Sequence, residues 1–271
     1  MFIADHMSTD GTWDLICNKL KNLENVEVYG QINNSFHDGI RSLIYDKYKH
    51  MACQDDWWCR LDSDEFYIDN PRFFLSGVDK KYHYVKAAKN QYYFTDVDLK
   101  KFHENGSDYL NGQCVDTMHY YLCNDAEIRF VRHLNKEWKS DEQWPKLNWS
   151  ALVFHDYIRL KHFQYRYPEQ IDKRLIIRSD VKKETNFFSH EVRNSWTTRL
   201  NKDEMIHKED VVDDFKQSWM DRIVNYKNLN DDRVSMNNID YNLIIKIPTT
   251  KEQIIKKIIS ILSRGKWNNI Y

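Results

Sequence analysis

The first sixty residues alternate short apolar runs with helix-spaced ones. Residues 2–4 form an apolar run ending at Asp5, and residues 26–29 and 57–61 form two more, each of strand length. Between the first two, Trp13, Ile16, Cys17 and Leu20 recur at helical spacing behind the polar stretch Ser8-Thr9-Asp10-Gly11-Thr12, which predicts a capped helix. Residues 40–48 repeat the helical spacing before the third run. The order βαβαβ predicts a parallel sheet with Asp5 and Asp62 at the carboxyl ends of strands, where ligands of such sheets bind.

Farther along, residues 82–95 predict a long strand, residues 97–103 a short helix, and residues 119–122 and 127–133 a strand pair. From Pro168 the spacing turns helical, over residues 169–177 and again over 211–226, where Val212, Phe215, Trp219 and Ile223 share a face. The polar stretch 228–240 predicts a linker. Residues 242–247 read as a strand, and an amphipathic helix follows with Ile254, Ile255, Ile258, Ile259 and Leu262 on its apolar side. The expected fold class is α/β, a mixed sheet flanked by helices with a mainly helical C-terminal part.

Composition narrows the function classes. The 271 residues carry 40 basic and 41 acidic side chains, so no global field favours nucleic acid or another polyanion. The five cysteines (Cys17, Cys53, Cys59, Cys114, Cys123) are odd in number and lack C-x-x-C spacing, which predicts thiols in a reducing compartment and argues against zinc. The N-terminus has no basic stretch leading into an apolar one, and no apolar run reaches the roughly 18 residues of a membrane span, so a cytoplasmic location is expected. Nine Trp, 17 Tyr and 13 Phe against seven Gly and four Pro predict few turns and an aromatic core or surface.

The candidate chemistry lies in Leu61-Asp62-Ser63-Asp64-Glu65-Phe66. With 28 aspartates in the chain, the two Asp-x-Asp triplets (62–64 and 96–98) are no more than chance supplies, so the weight of the first rests on its place after a strand. Two carboxylates there suit a hard divalent ion. Asp5 with Ser8-Thr9-Asp10-Gly11-Thr12, followed by the Asp62–Asp64 block, resembles family-2-like glycosyltransferases of the GT-A fold. A third block, His162-Phe163-Gln164-Tyr165-Arg166-Tyr167-Pro168-Glu169-Gln170-Ile171, is similar to the "HYQYRSPEQI" segment of a bacterial branch of those enzymes, with Phe163 in place of Tyr and Tyr167 in place of Ser.

The resemblance implies a GT-A-like, Rossmann-related catalytic domain over residues 1–167, a helical extension over 168–240, and a strand–helix unit over 241–271. That last unit is similar to the opening strand and helix of the family, as a permuted element or as the start of a tandem domain. The implied activity is metal-dependent transfer of a sugar from a nucleotide donor, a UDP-sugar first among the choices, to a glycan or lipid-linked acceptor with inversion. Asp62, Asp64 and His162 would be ligands of Mn²⁺ or Mg²⁺. Asp5, Asp10, Asp62, Arg166, Pro248 and Thr249 would contact the donor, and Glu65 would orient the metal shell or the acceptor. For the proton acceptor, Asp96 and Asp98 come first and His155 with Asp156 second, with a helix N-cap as the competing reading of Asp96. Trp138, Trp144 and Trp149, in a polar stretch, are expected to form an acceptor-side lid. Lys251, Lys256, Lys257, Arg264 and Lys266 make the final helix basic, which suits a peripheral contact at the inner face of a membrane, although a packed surface helix is the commoner use. A nucleotidyltransferase and a catalytically inactive sugar-nucleotide or glycan-binding module are the alternative functions.

Overall fold

The computed structural model describes residues 1–34, 37–105, 114–147, 150–184, 224–235 and 247–262. The chain divides into two compact units, one of Met1–Asp56 with His133–Asn148 and one of Trp57–Arg132 with Trp149–Tyr271. It is a mixed α/β protein whose larger sheet is mostly antiparallel.

In the first unit, strands β1 (Phe2–Asp5) and β2 (Glu27–Gln31) pair in parallel, with Phe2 opposite Glu27 and Asp5 opposite Gln31. Helix α1 (Thr12–Asn18) crosses between them, and α2 (Ser42–Tyr48) follows a 3-10 turn at Asp38–Arg41. The cap of α1 differs from expectation. Its N-cap is Gly11 at φ 87°, a conformation that glycine tolerates without a Cβ penalty, and Asp10 instead accepts from Thr12 N at 3.1 Å. Phe2 stacks on Tyr48 at 4.3 Å, joining strand to helix.

The polar stretch with the tryptophans packs into this unit. Tyr45 Oη donates to Lys136 O at 2.7 Å, Trp138 meets the Tyr45 ring edge-on at 5.6 Å, and Trp138 stacks on Trp144 at 5.5 Å. Trp138 is buried and its indole N–H donates to Glu142 O at 2.8 Å, so a lid is not its use; Trp149 lies outside the described residues. Gly39 lies so close to the same segment that a β-carbon there would overlap the Ser140 carbonyl. Gly39→Ala is expected to destabilise the protein by about 1–3 kcal/mol, read as a lower thermal midpoint, because backbone rather than a side-chain tip must move.

The second unit is built on β3 (Trp57–Cys59), β4 (Glu65–Tyr67), β5 (Tyr82–Tyr92), β6 (Tyr120–Arg132), β7 (Leu152–His162) and β8 (Asn230–Asp231). The order is β3-β6-β5-β7-β4, with β8 added to β6, and only the β5–β7 pair is parallel. This corrects the expected parallel βαβαβ sheet: β3 does not join β1 and β2 but runs antiparallel to β6, with Trp57 opposite Arg132. The expected strand pair at 119–133 is one continuous strand whose register slips beside Lys89 and Asn90, so Cys123 to Ala126 continue the ladder instead of turning. Helices α3 (Pro71–Ser76), α4 (Asp96–Asn105), α5 (Cys114–Thr117) and α6 (Pro168–Glu184) also belong to the unit, with Pro71 and Pro168 at first-turn positions where a missing N–H is harmless.

An apolar cluster of Val85, Ala87, Phe130, Ile158 and Leu160 packs with Val78 and Tyr82 beside α3. An aromatic cluster of Tyr92, Phe94, Tyr121, Phe163 and Tyr165 packs with Met118 and Ile171 beside α4 and α6. The expected helix over 211–226 does not reach its end. Val224 bridges Thr95 and Tyr226–Asn228 is a 3-10 turn, while residues 211–223 lie outside the described residues. The expected linker is partly structural: β8 and the short Asp232–Ser235 helix sit on the sheet. Residues 242–246 also lie outside the described residues, but Ile247 is not in a strand and packs beside Ala88, Cys123 and Tyr157. The helix after it, Thr250–Leu262, lies along the start of β7. The described cysteines Cys17, Cys53, Cys59 and Cys123 are free thiols, and no described helix is long and apolar enough to cross a membrane.

Candidate functional site

Toward the end of β7 the sheet face above the apolar cluster becomes charged. Lys89 pairs with Asp125 at 3.2 Å and with Glu127; Glu127 also meets Arg129 Nη1 at 3.1 Å and Arg60 Nη2 at 3.2 Å, and Arg129 Nη2 donates to Glu65. Arg60, Glu65, Lys89 and Arg129 are all buried. Burial alone would raise the Glu127 carboxyl, but Lys89, Arg129 and Arg60 hold it at about 2. Burial pushes Glu65 up against the pull of Arg129.

Glu65 shapes the Asp-x-Asp turn. Residues 60–64 lead from β3, at one outer edge of the main strand path, to β4 at the other. The turn closes with Glu65 N donating to Asp62 O at 3.0 Å, and Asp62 N donates back to Glu65 Oε2 at 3.2 Å. Since Glu65 is buried on Arg129, its carboxylate fixes the turn rather than facing solvent. The strand that follows pairs Glu65 with His162, and Phe163 N donates to Asp64 O at 2.9 Å. That ladder brings the second and third sequence blocks together.

The segment that leaves β7 after His162 does the rest. Phe163 and Tyr165 go into the aromatic cluster, and His162 and Arg166 bear on Asp64. Asp64 Oδ2 lies 3.6 Å from His162 Nε2 and 3.7 Å from Arg174 Nη1, contacts longer than hydrogen bonds. Burial would raise the Asp64 carboxyl, but His162 first, then Arg174 and Arg166, hold it at about 2. His162 Nδ1, Arg166 Nε and Arg174 Nε are buried without a hydrogen-bond partner, so two guanidinium donors beside Asp64, and the imidazole in the tautomer that protonates Nδ1, have capacity left for an anion's oxygens.

The depressed Asp64 value has a stability consequence. A carboxylate whose folded pKa is about 2, against an ordinary 3.8, contributes stability that is present above pH 4 and lost as the pH falls toward 2. The contribution is about 2 kcal/mol. Urea midpoints measured from pH 5 to pH 2 are expected to fall, with Glu127 adding to the same window, and Asp64→Asn is expected to flatten part of the slope.

No known protein-family model matches the chain, and no curated protein matches it. The site therefore stands on its own geometry.

The remaining predicted residues are distributed as follows. Asp98 is buried in a capping box with Thr95, accepting from Thr95 N at 3.0 Å and Oγ1 at 2.6 Å, so its carboxylate holds the start of α4. Asp96 is half-buried and accepts from Tyr226 N at 3.0 Å through one oxygen. Asp5 and Asp10 belong to the first unit. Asp5 accepts from Gln31 Nε2 at 2.8 Å and Ser8 N at 3.0 Å; these bonds outweigh burial and lower its pKa. Pro248 and Thr249 are not brought to Asp64. Thr249 caps the final helix with Glu252, and that helix bonds Val153 at the start of β7, about 30 Å along the strand from His162 at 3.3 Å per residue. His155 is at that same end, 3.4 Å from Tyr82 Oη. Among the described residues, no group of three His, Cys, Asp or Glu side chains is arranged to hold a metal by itself.

Two features escaped sequence reasoning. Arg174 sits one helical turn beyond Gln170 on α6, and that i, i+4 spacing is the signal that could have found it. Asp232, in the expected linker, accepts from Tyr92 Oη at 2.7 Å, Lys161 Nζ at 2.9 Å and His119 Nδ1 at 3.1 Å, fastening β8 to the sheet. Lys161 and His162 are consecutive on a strand and point to opposite faces, so this cluster is separate from Asp64.

Proposed function

We propose that the chain is a glycosyltransferase of GT-A type that binds the diphosphate of a nucleotide-sugar, a UDP-sugar first, at Asp62, Asp64, His162, Arg166 and Arg174. The observation that carries this reading is the convergence of two distant sequence blocks, with Glu65 opposite His162 in one ladder and Asp64 beside two guanidinium groups and an imidazole. The donor set fits a hard divalent ion of the Mg²⁺ or Mn²⁺ kind. Asp64 remains ionised at any physiological pH, and such ions take one or two carboxylates together with substrate phosphate oxygens. Asp62 and Asp64 would hold it, and it would neutralise charge on the departing nucleoside diphosphate.

The chain's own residues then divide the work. Arg166 and Arg174 orient the diphosphate through their unpaired N–H groups. Glu65 holds the Asp62 turn in place. Asp96, which keeps a partly exposed carboxylate where Asp98 does not, takes the proton of a glycan or lipid-linked acceptor hydroxyl. The reaction is expected to invert the sugar and to take place in the cytoplasm.

The test is thermal stabilisation by a panel of nucleoside diphosphates with and without Mn²⁺, followed by hydrolysis of the matching nucleotide-sugars. Mn²⁺-dependent stabilisation by one base, with slow donor hydrolysis, is the expected result. Stabilisation without turnover for every donor and acceptor would point to the binding module, and no stabilisation by any nucleotide would overturn the site.

A further inference from the structure

The Thr250–Leu262 helix is docked with its apolar side outward. Helical periodicity puts Ile254, Ile255, Ile258 and Ile259 on one side and Gln253 with Lys257 on another, and the ordinary expectation is that isoleucines face the sheet. Instead Gln253 is buried: its Oε1 accepts from Val153 N at 2.8 Å, and its Nε2 donates to Val153 O and Pro248 O, each at 2.8 Å. Lys257 donates to Ala151 O, and Tyr82 Oη meets Thr250 Oγ1 at 2.8 Å. Polar groups dock the helix on a strand backbone, and the four isoleucines remain 44–52% exposed. Scattered exposed apolar residues need no explanation, but four on one helix face form a contiguous patch of the kind that marks an interaction surface.

Charge selects the occupant. Residues 250–266 carry five basic side chains and one acidic one, in a protein whose net charge is −1. Lys251 and Lys256 are exposed beside the isoleucines. The one acid, Glu252, is taken by the helix cap, accepting from Thr249 N at 2.7 Å and Thr249 Oγ1 at 3.0 Å, which lowers its pKa. A second copy of this face, related by a two-fold axis, would bring the same lysines together. The helix is about 20 Å long, too short to span a bilayer but suited to lie in its interface.

We propose that this face is a peripheral docking surface for an anionic lipid bilayer, with the isoleucines entering the headgroup–acyl boundary and Lys251 and Lys256 meeting lipid phosphates. The inference is independent of the glycosyltransferase reading. It assigns the contact to one oriented face rather than to the basic character of the helix.

Co-sedimentation of the full chain with phosphatidylglycerol–phosphatidylcholine vesicles, against phosphatidylcholine alone, tests it. Binding to the anionic vesicles that weakens with salt is expected. Lys251→Gln with Lys256→Gln is expected to weaken it roughly 30-fold, at about a fivefold loss per lysine. Ile254→Asp with Ile258→Asp is expected to abolish it at unchanged thermal midpoint, and Ile254→Ser with Ile258→Ser serves the same purpose if the aspartates disturb folding. Wild-type protein left in the supernatant, or isoleucine variants that still bind, would overturn the proposal. So would a concentration-dependent dimer that the same substitutions dissociate while no lipid is bound, which would give the face to a second copy.

Discussion

Arg129→Ala is expected to lower the unfolding free energy by about 3–5 kcal/mol, one of the largest effects of any single substitution in the chain. Arg129 is 2% exposed and joins Glu65, whose side chain has no exposure, to Glu127. Removing the guanidinium leaves a buried carboxylate without its counter-charge, the situation in which breaking a pair is far more harmful than never having had it. Guanidinium unfolding should show the lower midpoint. Arg129→Met with Glu65→Leu should recover much of the loss, because the apolar pair carries no charge to strand. A single variant within 1 kcal/mol of the parent would mean that water or other groups reach Glu65. The double variant has a second use. It discards the bond from Asp62 N to Glu65, so weaker nucleotide binding at recovered stability would separate shaping of the turn from holding of the fold.

Asp64→Asn is expected to weaken Mn²⁺-dependent binding of UDP on the order of 100-fold, equivalent to losing a large part of what a metal–carboxylate–phosphate arrangement supplies. The same change removes the carboxylate that Arg166 and Arg174 bear on, so metal-free UDP should bind less weakly by comparison, drawn by the two guanidinium groups. Calorimetric titration with and without Mn²⁺, well below the lowered thermal midpoint, reads both effects. Equal losses in the two conditions would remove the metal from the account, and no loss in either would remove Asp64 from the site.

The parts of the chain whose periodicity is local were legible. β1, α1, β2 and α2 follow from spacing, as do β5, α4 and the first half of α6. What periodicity lacks is a partner. Residues 57–59 look the same whether they join a parallel or an antiparallel sheet, and only the pairing of Trp57 with Arg132 decides. β6 looked broken because Asn124 and Asp125 interrupt its apolar alternation at residues 123–126, and Asp125 sits there because it pairs with Lys89 on the neighbouring strand. Charge on a buried sheet face imitates a turn. The final helix was legible as amphipathic but not in its orientation: Gln253 takes the inward place by bonding Val153.

The site was legible to the extent that its chemistry is written in contiguous blocks. Asp62, Asp64, His162 and Arg166 came from two such blocks, and the ladder between β4 and β7 joins them. Arg129 and Asp232 act through contacts that span the fold, and nothing in their immediate neighbours announces them; Arg174 is announced only by its helical spacing from Gln170. Asp98 shows the converse, since a carboxylate at catalytic-looking spacing proves to be the acid of a capping box.

Residues 60–64 connect opposite edges of the β3-β6-β5-β7-β4 path, and this short reach fixes a length. Four strand spacings on a flat sheet measure about 19 Å. Three extended steps and a β-turn cover at most about 17 Å. The sheet must therefore curl toward the connection that joins its edges. Deleting Ser63 would drag an edge strand from its ladder, whereas an inserted glycine would leave the ladders intact and let Asp62 and Asp64 drift apart from His162. The curvature of the sheet is thus the gauge that sets where the two carboxylates stand.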